Sequence, residues 1–175
     1  MTTPEPMPAL TLWQPYASLV MAGIKPWETR SWCAPRRLWG SRIAVHAAKR
    51  PVRMDDWSHL PAEVLRSTAF VQLLDAWIYG AVLGTVEVLY CMRVVGHGHD
   101  HHGNLIRFCE QPDPDGDLRP DPPLTSFDDD GLGDYSPGRW VWRLRNPQYL
   151  ADPIYTRGFQ RLWTWTPPEV ELSNE

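Results

Sequence analysis

Ten residues near the start of the chain, GIKPWETRSW at positions 23–32, place three charged side chains between two tryptophans. The charged residues are Lys25, Glu28 and Arg30. An amine, a carboxylate and a guanidinium in one short segment could bind an anion or the edge of a base, or could transfer a proton. The same three groups could equally form an ion pair that only fixes the local geometry.

Lysine is rare in this chain. Of its 17 basic residues only Lys25 and Lys49 are lysine, and the others are arginine. Arginine does not lose its proton in proteins, whereas a lysine in a dry cleft can act as a base or a nucleophile. The use of lysine at position 25 therefore favours a role that needs a compact or titratable amine, and Lys49 is a second candidate.

The residues around this stretch indicate the elements that position it. Pro15 suits the start of a short helix, and Gly23 suits its end. From residue 27 onward the side chains are expected to alternate as in a strand. Glu28 and Arg30 would then share one face, with the lysine leaning toward them from the preceding turn.

The rest of the chain is rich in predicted strands. Runs of β-branched and aromatic residues predict the strands, and a proline start with a glycine stop predicts one longer helix. Residues 96–134, rich in Gly, His, Pro and Asp, are predicted to be a long loop or insertion. The predicted strands lie at 10–12, 42–47, 80–95, 138–147 and within 157–165, and the helix at 61–79.

Two other segments carry candidate ligand-binding groups. His46 lies in the predicted third strand, where a partly buried histidine is favoured over a substrate contact. The sequence DYSPGRW contains Tyr135, Ser136 and Arg139. This turn could close over the phosphate or carbonyl of a ligand, although ordinary turn chemistry explains its serine, proline and glycine as well.

The run HGHDHHGN offers several possible ligands for zinc or nickel. Zinc sites usually draw their ligands from separate, rigid segments, whereas this run is a single glycine-rich loop. A solvated loop is therefore favoured, and we predict neither a metal nor a cofactor. The side chains concerned are His97, His99, Asp100, His101 and His102.

Charge is distributed unevenly along the chain, whose formal net charge is −4. Residues 110–134 hold nine acids and one base, whereas residues 25–53 hold eight bases and one acid. A basic block of this kind is expected of a site for a polyanion, although it could be a solvated surface. The ten tryptophans of the chain serve either as core residues or as platforms on which unpaired bases stack.

Length and cysteine content bound the class of protein. The 175 residues suit one domain, which we place at 9–166 with flexible tails at 1–8 and 167–175. Three cysteines without a CxxC spacing favour a reduced, cytoplasmic protein. Neither a signal peptide nor a membrane span is predicted. The sequence carries no indication of an oligomeric state.

The run from Gly23 to Arg30 fits the pattern GxKxxExR and resembles the signature of the ASCH domain family. Other segments resemble the family in the same order, and GxKxxExR alone would be a much weaker signal. The similarity is to bacterial and phage members and covers residues 9–165. The further segments are LTLWQPYASLV, SRIAVHAAK, GAVLGTVEV, GDYSPGRWVWRLRNP and RGFQRLWTW.

The resemblance implies an α+β fold, a PUA-like β-barrel with flanking short helices. It also implies a cleft, lined by the GxKxxExR segment, for RNA or a nucleotide-like ligand. One branch of the family hydrolyses N4-acylated cytidines with a lysine, a threonine and a distant glutamate, and another is a ribonuclease on single-stranded RNA. Lys25 matches the lysine, Glu28 stands where the threonine is expected, and Glu87 is the candidate for the distant glutamate.

We therefore expect a protein that binds RNA, another single-stranded nucleic acid such as DNA, or a modified nucleoside. A hydrolase acting in the same cleft is the first alternative, and a regulatory module whose acidic segment docks a basic partner is the second. Catalysis would fall to Lys25, Glu28 and Tyr135. The expected binding residues are Trp13, Gln14, Arg30, His46, Lys49, Ser136 and Arg139.

Overall fold

The structure is a computed structural model that describes residues 5–56, 58, 60–74, 77–112, 125–128 and 130–168. Within these residues it is mostly β-sheet, with three short α-helices. The strands are β1 (Met7–Leu12), β2 (Trp27–Arg30), β3 (Ser41–Ala47), β4 (Ala81–His99), β5 (Leu105–Glu110), β6 (Thr125–Asp128), β7 (Trp140–Tyr155) and β8 (Leu162–Trp165). The helices are α1 (Tyr16–Met21), α2 (Ala62–Arg66) and α3 (Thr68–Leu74).

All eight strands belong to one sheet whose main path runs β2-β7-β4-β3-β1-β8. β1 and β3 pair in parallel, and every other pair is antiparallel. The two longest strands, β4 and β7, pair at the centre, and β5 and β6 continue the sheet beyond the far half of β4. This arrangement leaves β2 and β8 as the edges of the main path.

The sheet is open, so the predicted closed barrel is not seen among the described strands. β2 is four residues long and pairs with β7. β8 pairs with β1, and this pairing ends at Leu10, which lies opposite Leu162. The last two residues of β1, Thr11 and Leu12, therefore have no strand partner on that side. The gap between the end of β1 and β2 is where the cleft described below lies.

The main core lies between helix α1 and one face of the sheet. α1 buries Ala17, Val20 and Met21 in this core together with apolar residues of β1, β3, β4 and β7. Its largest fully buried side chain is Trp142 of β7. The Trp142 indole packs edge-on against Trp32 at 4.8 Å between ring centroids and donates to the Trp32 carbonyl at 3.2 Å. The chain that follows β2 is thus fixed to the core.

The helix predicted at 61–79 is broken into α2 and α3. Ser67 lies at the break with an extended backbone, ψ 139°. Its hydroxyl donates to the Val64 carbonyl at 2.8 Å and accepts from the Phe70 amide at 3.1 Å. A serine that bonds the third amide of the following helix is a favoured cap, so local capping outweighs the continuous helical pattern.

The segment predicted as a loop at 96–134 is a β-hairpin in its first part. β4 continues to His99 and turns back into β5, which pairs with it from Leu105 to Glu110. At the tip, the Asp100 carboxylate accepts from the amides of His102 and Asn104, each at 2.8 Å. Most of the acidic stretch, at 113–124 and 129, lies outside the described residues.

The described residues lack two features. No group of three or more His, Cys, Asp or Glu side chains there is arranged to hold a metal ion. Within the same residues, no helix combines the length and the apolar character needed to cross a membrane.

Candidate functional site

A cleft of about 640 Å³ opens at the gap in the sheet. Its sides come from the end of β1, from β2 and from the segment between β6 and β7. At its base lie Lys25, Glu28 and Arg30, which we call the ionic trio. A volume of this size suits a small ligand such as a nucleoside or a nucleotide.

The ionic trio is centred on the Glu28 carboxylate. One carboxylate oxygen lies 3.5 Å from the Lys25 amine, and the other lies 3.0 Å from Nε of Arg30. The lysine side chain is only 2 % exposed and also donates to the carbonyl of Trp27. Because each oxygen has a cation beside it, the buried carboxylate is compensated on both sides.

Helix α1 sets the position of the lysine. The amides of Ile24 and Lys25 both donate to the Leu19 carbonyl at 3.0 Å, which closes the end of the helix. The chain then enters β2, where the alternation of side chains brings Glu28 and Arg30 together. The predicted shared face is therefore confirmed by their 3.0 Å ion pair.

Arg30 bridges the gap in the sheet. Its Nη2 donates to the carbonyl of Thr11 at 3.3 Å, so a side chain joins β2 to β1 where no backbone ladder does. Guanidinium carries five N–H groups in a rigid fork. The bond to Thr11 and the contact with Glu28 occupy only part of that fork, and Arg30 lines the cleft.

Trp13 forms one side of the cleft and packs against Arg50. The Arg50 guanidinium lies 4.4 Å from the centroid of the Trp13 ring and is held by two hydrogen bonds to Asp56, at 2.9 and 3.0 Å. Trp13 remains 55 % exposed although Arg50 covers part of it, and it lines the cleft. A half-exposed indole fixed by an arginine is suited to stack a flat ring.

Tyr16 connects this side of the cleft to the ionic trio. Its hydroxyl donates to the Asp56 carbonyl at 3.3 Å, and the Lys25 amine lies 5.7 Å from its ring centroid. Burial raises the pKa of Tyr16, and the negative charges of Asp56 and Glu28 raise it further. The phenol therefore stays protonated at neutral pH, and its hydroxyl can both donate and accept a hydrogen bond.

The opposite side is formed by the segment that leads into β7. A Cβ atom at Gly133 would lie only 2.8 Å from Cγ2 of Thr29, so glycine lets this segment pack closely on β2. The Asp134 amide then donates to the Thr29 hydroxyl at 3.2 Å, and the Asp134 carboxylate lies 3.2 Å from Nε of Arg139. Hydrogen bonds from Ser136 hold the pKa of Asp134 below its usual value.

The cleft therefore combines an aromatic side with a polar base. Among its described lining residues, three cations face two carboxylates, which leaves one net positive charge. Such a site can stack a flat ring, offer donors and acceptors to its edge, and neutralise a single phosphate.

The structure brings together five of the residues singled out from the sequence. The ionic trio, Trp13 and Arg139 all line the cleft. The five others do not line it and bond elsewhere or face solvent; they are Gln14, His46, Lys49, Tyr135 and Ser136.

The buried residues of this second group make specific contacts within the protein. Gln14 caps α1 by accepting from the Ser18 amide at 3.1 Å and donates to the Ile78 carbonyl at 2.9 Å. His46 is buried, and its Nε2 lies 3.1 Å from the Thr156 carbonyl. Tyr135 is buried and donates to the Asp130 carboxylate.

The other two residues of the group face outward, and so does Glu87, the candidate for the distant glutamate. Lys49 is exposed, and Ser136 donates to Asp134 at the edge of the cleft, at 2.6 Å. Glu87 accepts from Arg145 and Asn146, at 2.6 and 3.0 Å. It is not among the residues that line the cleft.

Tyr16, Thr29 and Asp134 also line the cleft, although no sequence pattern singled them out. Tyr16 and Thr29 had local signals, because one opens the predicted helix and the other lies inside the GxKxxExR segment. Asp134 reaches the cleft through its contact with Thr29, far away in the chain, and Arg50 likewise packs on Trp13 across a long sequence separation, which no local pattern reports.

Comparison with known proteins supports the resemblance. The family model described as the ASCH domain matches residues 10–103, slightly more than half of the chain. No curated protein matches the chain. The matched region contains the ionic trio, Trp13 and Tyr16, whereas the segment with Asp134 and Arg139 lies beyond it.

Proposed function

The chain belongs to the ASCH domain family, and we propose that its cleft binds an unpaired base of single-stranded RNA. Membership supports RNA binding in general, and a PUA-like fold is consistent with it. The observation that carries the proposal is the buried ionic trio at the base of a cleft, beside a half-exposed tryptophan.

Stacking would supply much of the binding energy. A base lying on Trp13 would gain roughly 1–3 kcal/mol, as base–aromatic stacking does in other single-strand binding proteins. Arg50 and Asp56 hold the indole in place, so little side-chain freedom is lost on binding. Double-stranded RNA would bind poorly because its bases are already stacked and paired.

The polar groups at the bottom of the cleft would form hydrogen bonds with the edge of that nucleobase. The Glu28 carboxylate has two contacts with cations and lone pairs left over, so it can accept from an exocyclic amine. Arg30 has spare donors for a carbonyl oxygen or a ring nitrogen. A free modified nucleoside offers the same edge, and it is the second ligand that suits this site.

The binding experiment is a titration of labelled short RNA followed by fluorescence anisotropy. We expect Trp13→Ala to weaken the binding of single-stranded RNA roughly tenfold. The matched control is Tyr149→Ala, which removes another half-exposed aromatic ring outside the cleft. Equal affinities for both variants and the wild type would refute the proposal.

Salt dependence gives a second reading of the same titration. A cleft with one net positive charge contacts few phosphates, so log K should fall with log salt with a slope of roughly −1 to −2. A much steeper slope would indicate that the RNA contacts many basic side chains outside the cleft instead.

Hydrolysis is a second candidate because an amine and a hydroxyl line the same cleft. The Lys25 amine lies at its base, and Thr29 contributes a hydroxyl from the neighbouring β2 residue. This threonine does not occupy the motif position expected from the acylcytidine hydrolases, but it places the same chemical group at the site. Release of free acid from an N4-acylcytidine, lost in Thr29→Val, would establish this activity.

Cleavage of RNA is tested by incubating the protein with labelled oligonucleotides and looking for shorter products.

If neither RNA nor nucleosides bind at micromolar protein concentration, docking of a partner protein becomes the better explanation.

We also propose that the protein works in a reducing compartment, the cytoplasm. All three cysteines are free thiols. Burial raises the pKa of Cys109 to about 12 and raises that of Cys91 as well. Cys91 and Cys109 are therefore poorly reactive, as expected of buried structural cysteines.

A further inference from the structure

A loop between β7 and β8 holds an aromatic ring out into solvent. Phe159 is 51 % exposed, and its ring packs against Trp163 at 5.4 Å between centroids. The guanidinium of Arg157 lies 5.4 Å from the centroid of the same phenylalanine ring. Leaving a phenylalanine half in water forfeits burial energy, which a flexible loop would recover by folding the ring inward.

This loop is anchored to the sheet. The Thr156 amide donates to the Gly80 carbonyl at 3.0 Å, and the Thr156 carbonyl lies 3.1 Å from Nε2 of His46. A Cβ atom at Gly158 would lie 2.3 Å from the His46 ring, so the loop packs directly on the buried imidazole. Phe159 is therefore presented by a fixed backbone, and His46 acts as an anchor for the loop.

Trp163 of β8, on which Phe159 packs, connects this loop to the cleft. The indole of Trp163 donates to the Thr11 hydroxyl at 3.1 Å. Thr11 lines the cleft, and its carbonyl accepts from Arg30 of the ionic trio. A row of contacts thus runs from Phe159 through Trp163 and Thr11 to the base of the cleft.

We propose that Phe159 and Arg157 form a second subsite, which stacks the base next to the one held in the cleft and binds the phosphate near it. The inference rests on the proposed function and narrows its ligand to an oligonucleotide rather than a free nucleoside. Three features carry the proposal: the exposed ring, the adjacent cation and the contact row that ends at the cleft. Neighbouring bases of a single strand stack on successive aromatic rings in this manner.

Calorimetric titration with a uridine mononucleotide and with a uridine tetranucleotide tests this subsite. We expect Phe159→Ala to bind the tetranucleotide roughly tenfold more weakly than the wild type, while its mononucleotide affinity stays unchanged. Phe159→Trp should retain the wild-type affinity, because it keeps a stacking ring. Arg157→Gln should lower the tetranucleotide affinity by a few-fold and flatten its salt dependence.

Two control variants match these changes. Tyr149→Ala removes an exposed aromatic ring of β7, and Arg66→Gln removes an exposed arginine of α2. Both should bind the tetranucleotide as the wild type does. Melting curves should confirm that every variant remains folded.

The outcomes separate this inference from the proposed function. If Trp13→Ala weakens tetranucleotide binding but Phe159→Ala does not, the second subsite is refuted and the cleft proposal stands. Equal weakening of both ligands by Phe159→Ala would also refute it, because the ring would then support the cleft itself. If the wild type binds neither ligand, both proposals fall.

Discussion

Two clusters, each centred on a glutamate that an arginine contacts, lie in different parts of this molecule. In the cleft, Glu28 lies between Lys25 and Arg30, and all three side chains are buried or mostly buried. On the sheet at β4 and β7, Glu87 lies between Arg145 and Asn146, and Arg145 is 48 % exposed. We call this second group the outer cluster.

We expect enclosure to separate what the two clusters can do. The outer cluster has the shorter contact, 2.6 Å against 3.0 and 3.5 Å in the cleft. Water and salt nevertheless screen an exposed pair, so it contributes little to stability or recognition. Charges at the base of a cleft meet a ligand in a low dielectric, where each hydrogen bond to the ligand is stronger.

The largest difference between the clusters should appear on removal of a cation. Lys25→Met leaves the buried Glu28 with one cation instead of two, and we expect the free energy of unfolding to fall by about 3 kcal/mol. Arg145→Met, its matched control, should lower the denaturation midpoint only slightly, because Arg145 is half exposed. Urea denaturation followed by tryptophan fluorescence measures both.

A second substitution sharpens that result. In Lys25→Met/Glu28→Gln the unbalanced charge is gone, so part of the lost stability should return. Equal losses in Lys25→Met and Arg145→Met would contradict the claim that burial separates the two clusters.

A smaller difference is expected in ligand binding. Arg30→Gln removes the fork that offers donors in the cleft and should weaken single-stranded RNA binding by roughly 1.5 kcal/mol, about tenfold. Arg42→Gln removes an arginine that bonds Thr85 and Asn146 near the outer cluster. Anisotropy titrations should show that Arg42→Gln binds RNA with wild-type affinity. If both variants lose the same amount of affinity, the RNA contacts basic side chains well outside the cleft.

The smallest effect concerns the pH dependence of the outer cluster. The hydrogen bond from Arg145, followed by that from Asn146, lowers the pKa of Glu87. A carboxyl whose pKa is lower in the folded state stabilises the fold above its unfolded pKa, about 4.3, and loses this effect as pH falls through the folded value.

Glu87→Gln should therefore melt slightly below the wild type at pH 7, and the two melting temperatures should converge below about pH 4. Thermal melts across that range measure the difference. A gap between the two proteins that persists in acid would show that packing, and not the charge of Glu87, is responsible.

Much of the cleft could be predicted because its determinants are local. Strand alternation alone pairs Glu28 with Arg30, and a helix end followed by proline places Lys25 before them. The resemblance also led to the correct family. These features depend on residues within a few positions of one another, which a sequence pattern can report.

Other features depend on contacts between distant segments and could not be predicted. β3 is buried on both faces because the loop at Thr156 covers one of them, so alternation gave no sign that His46 would anchor that loop. β4 continues through a glycine- and histidine-rich stretch because β5 pairs with it. The closed barrel was expected from the family, but among the described strands β2 and β1 do not pair, and the Arg30 side chain bonds across the gap between them.

The most direct test of the cleft proposal is a two-dimensional ¹H–¹⁵N NMR titration with short single-stranded RNA. The account predicts that the indole signal of Trp13, assigned with Trp13→Phe, shifts together with the amides of Glu28 and Arg30, while the amides around Glu87 stay in place. Shifts confined to the outer cluster, or none in the cleft at saturating RNA, would contradict it.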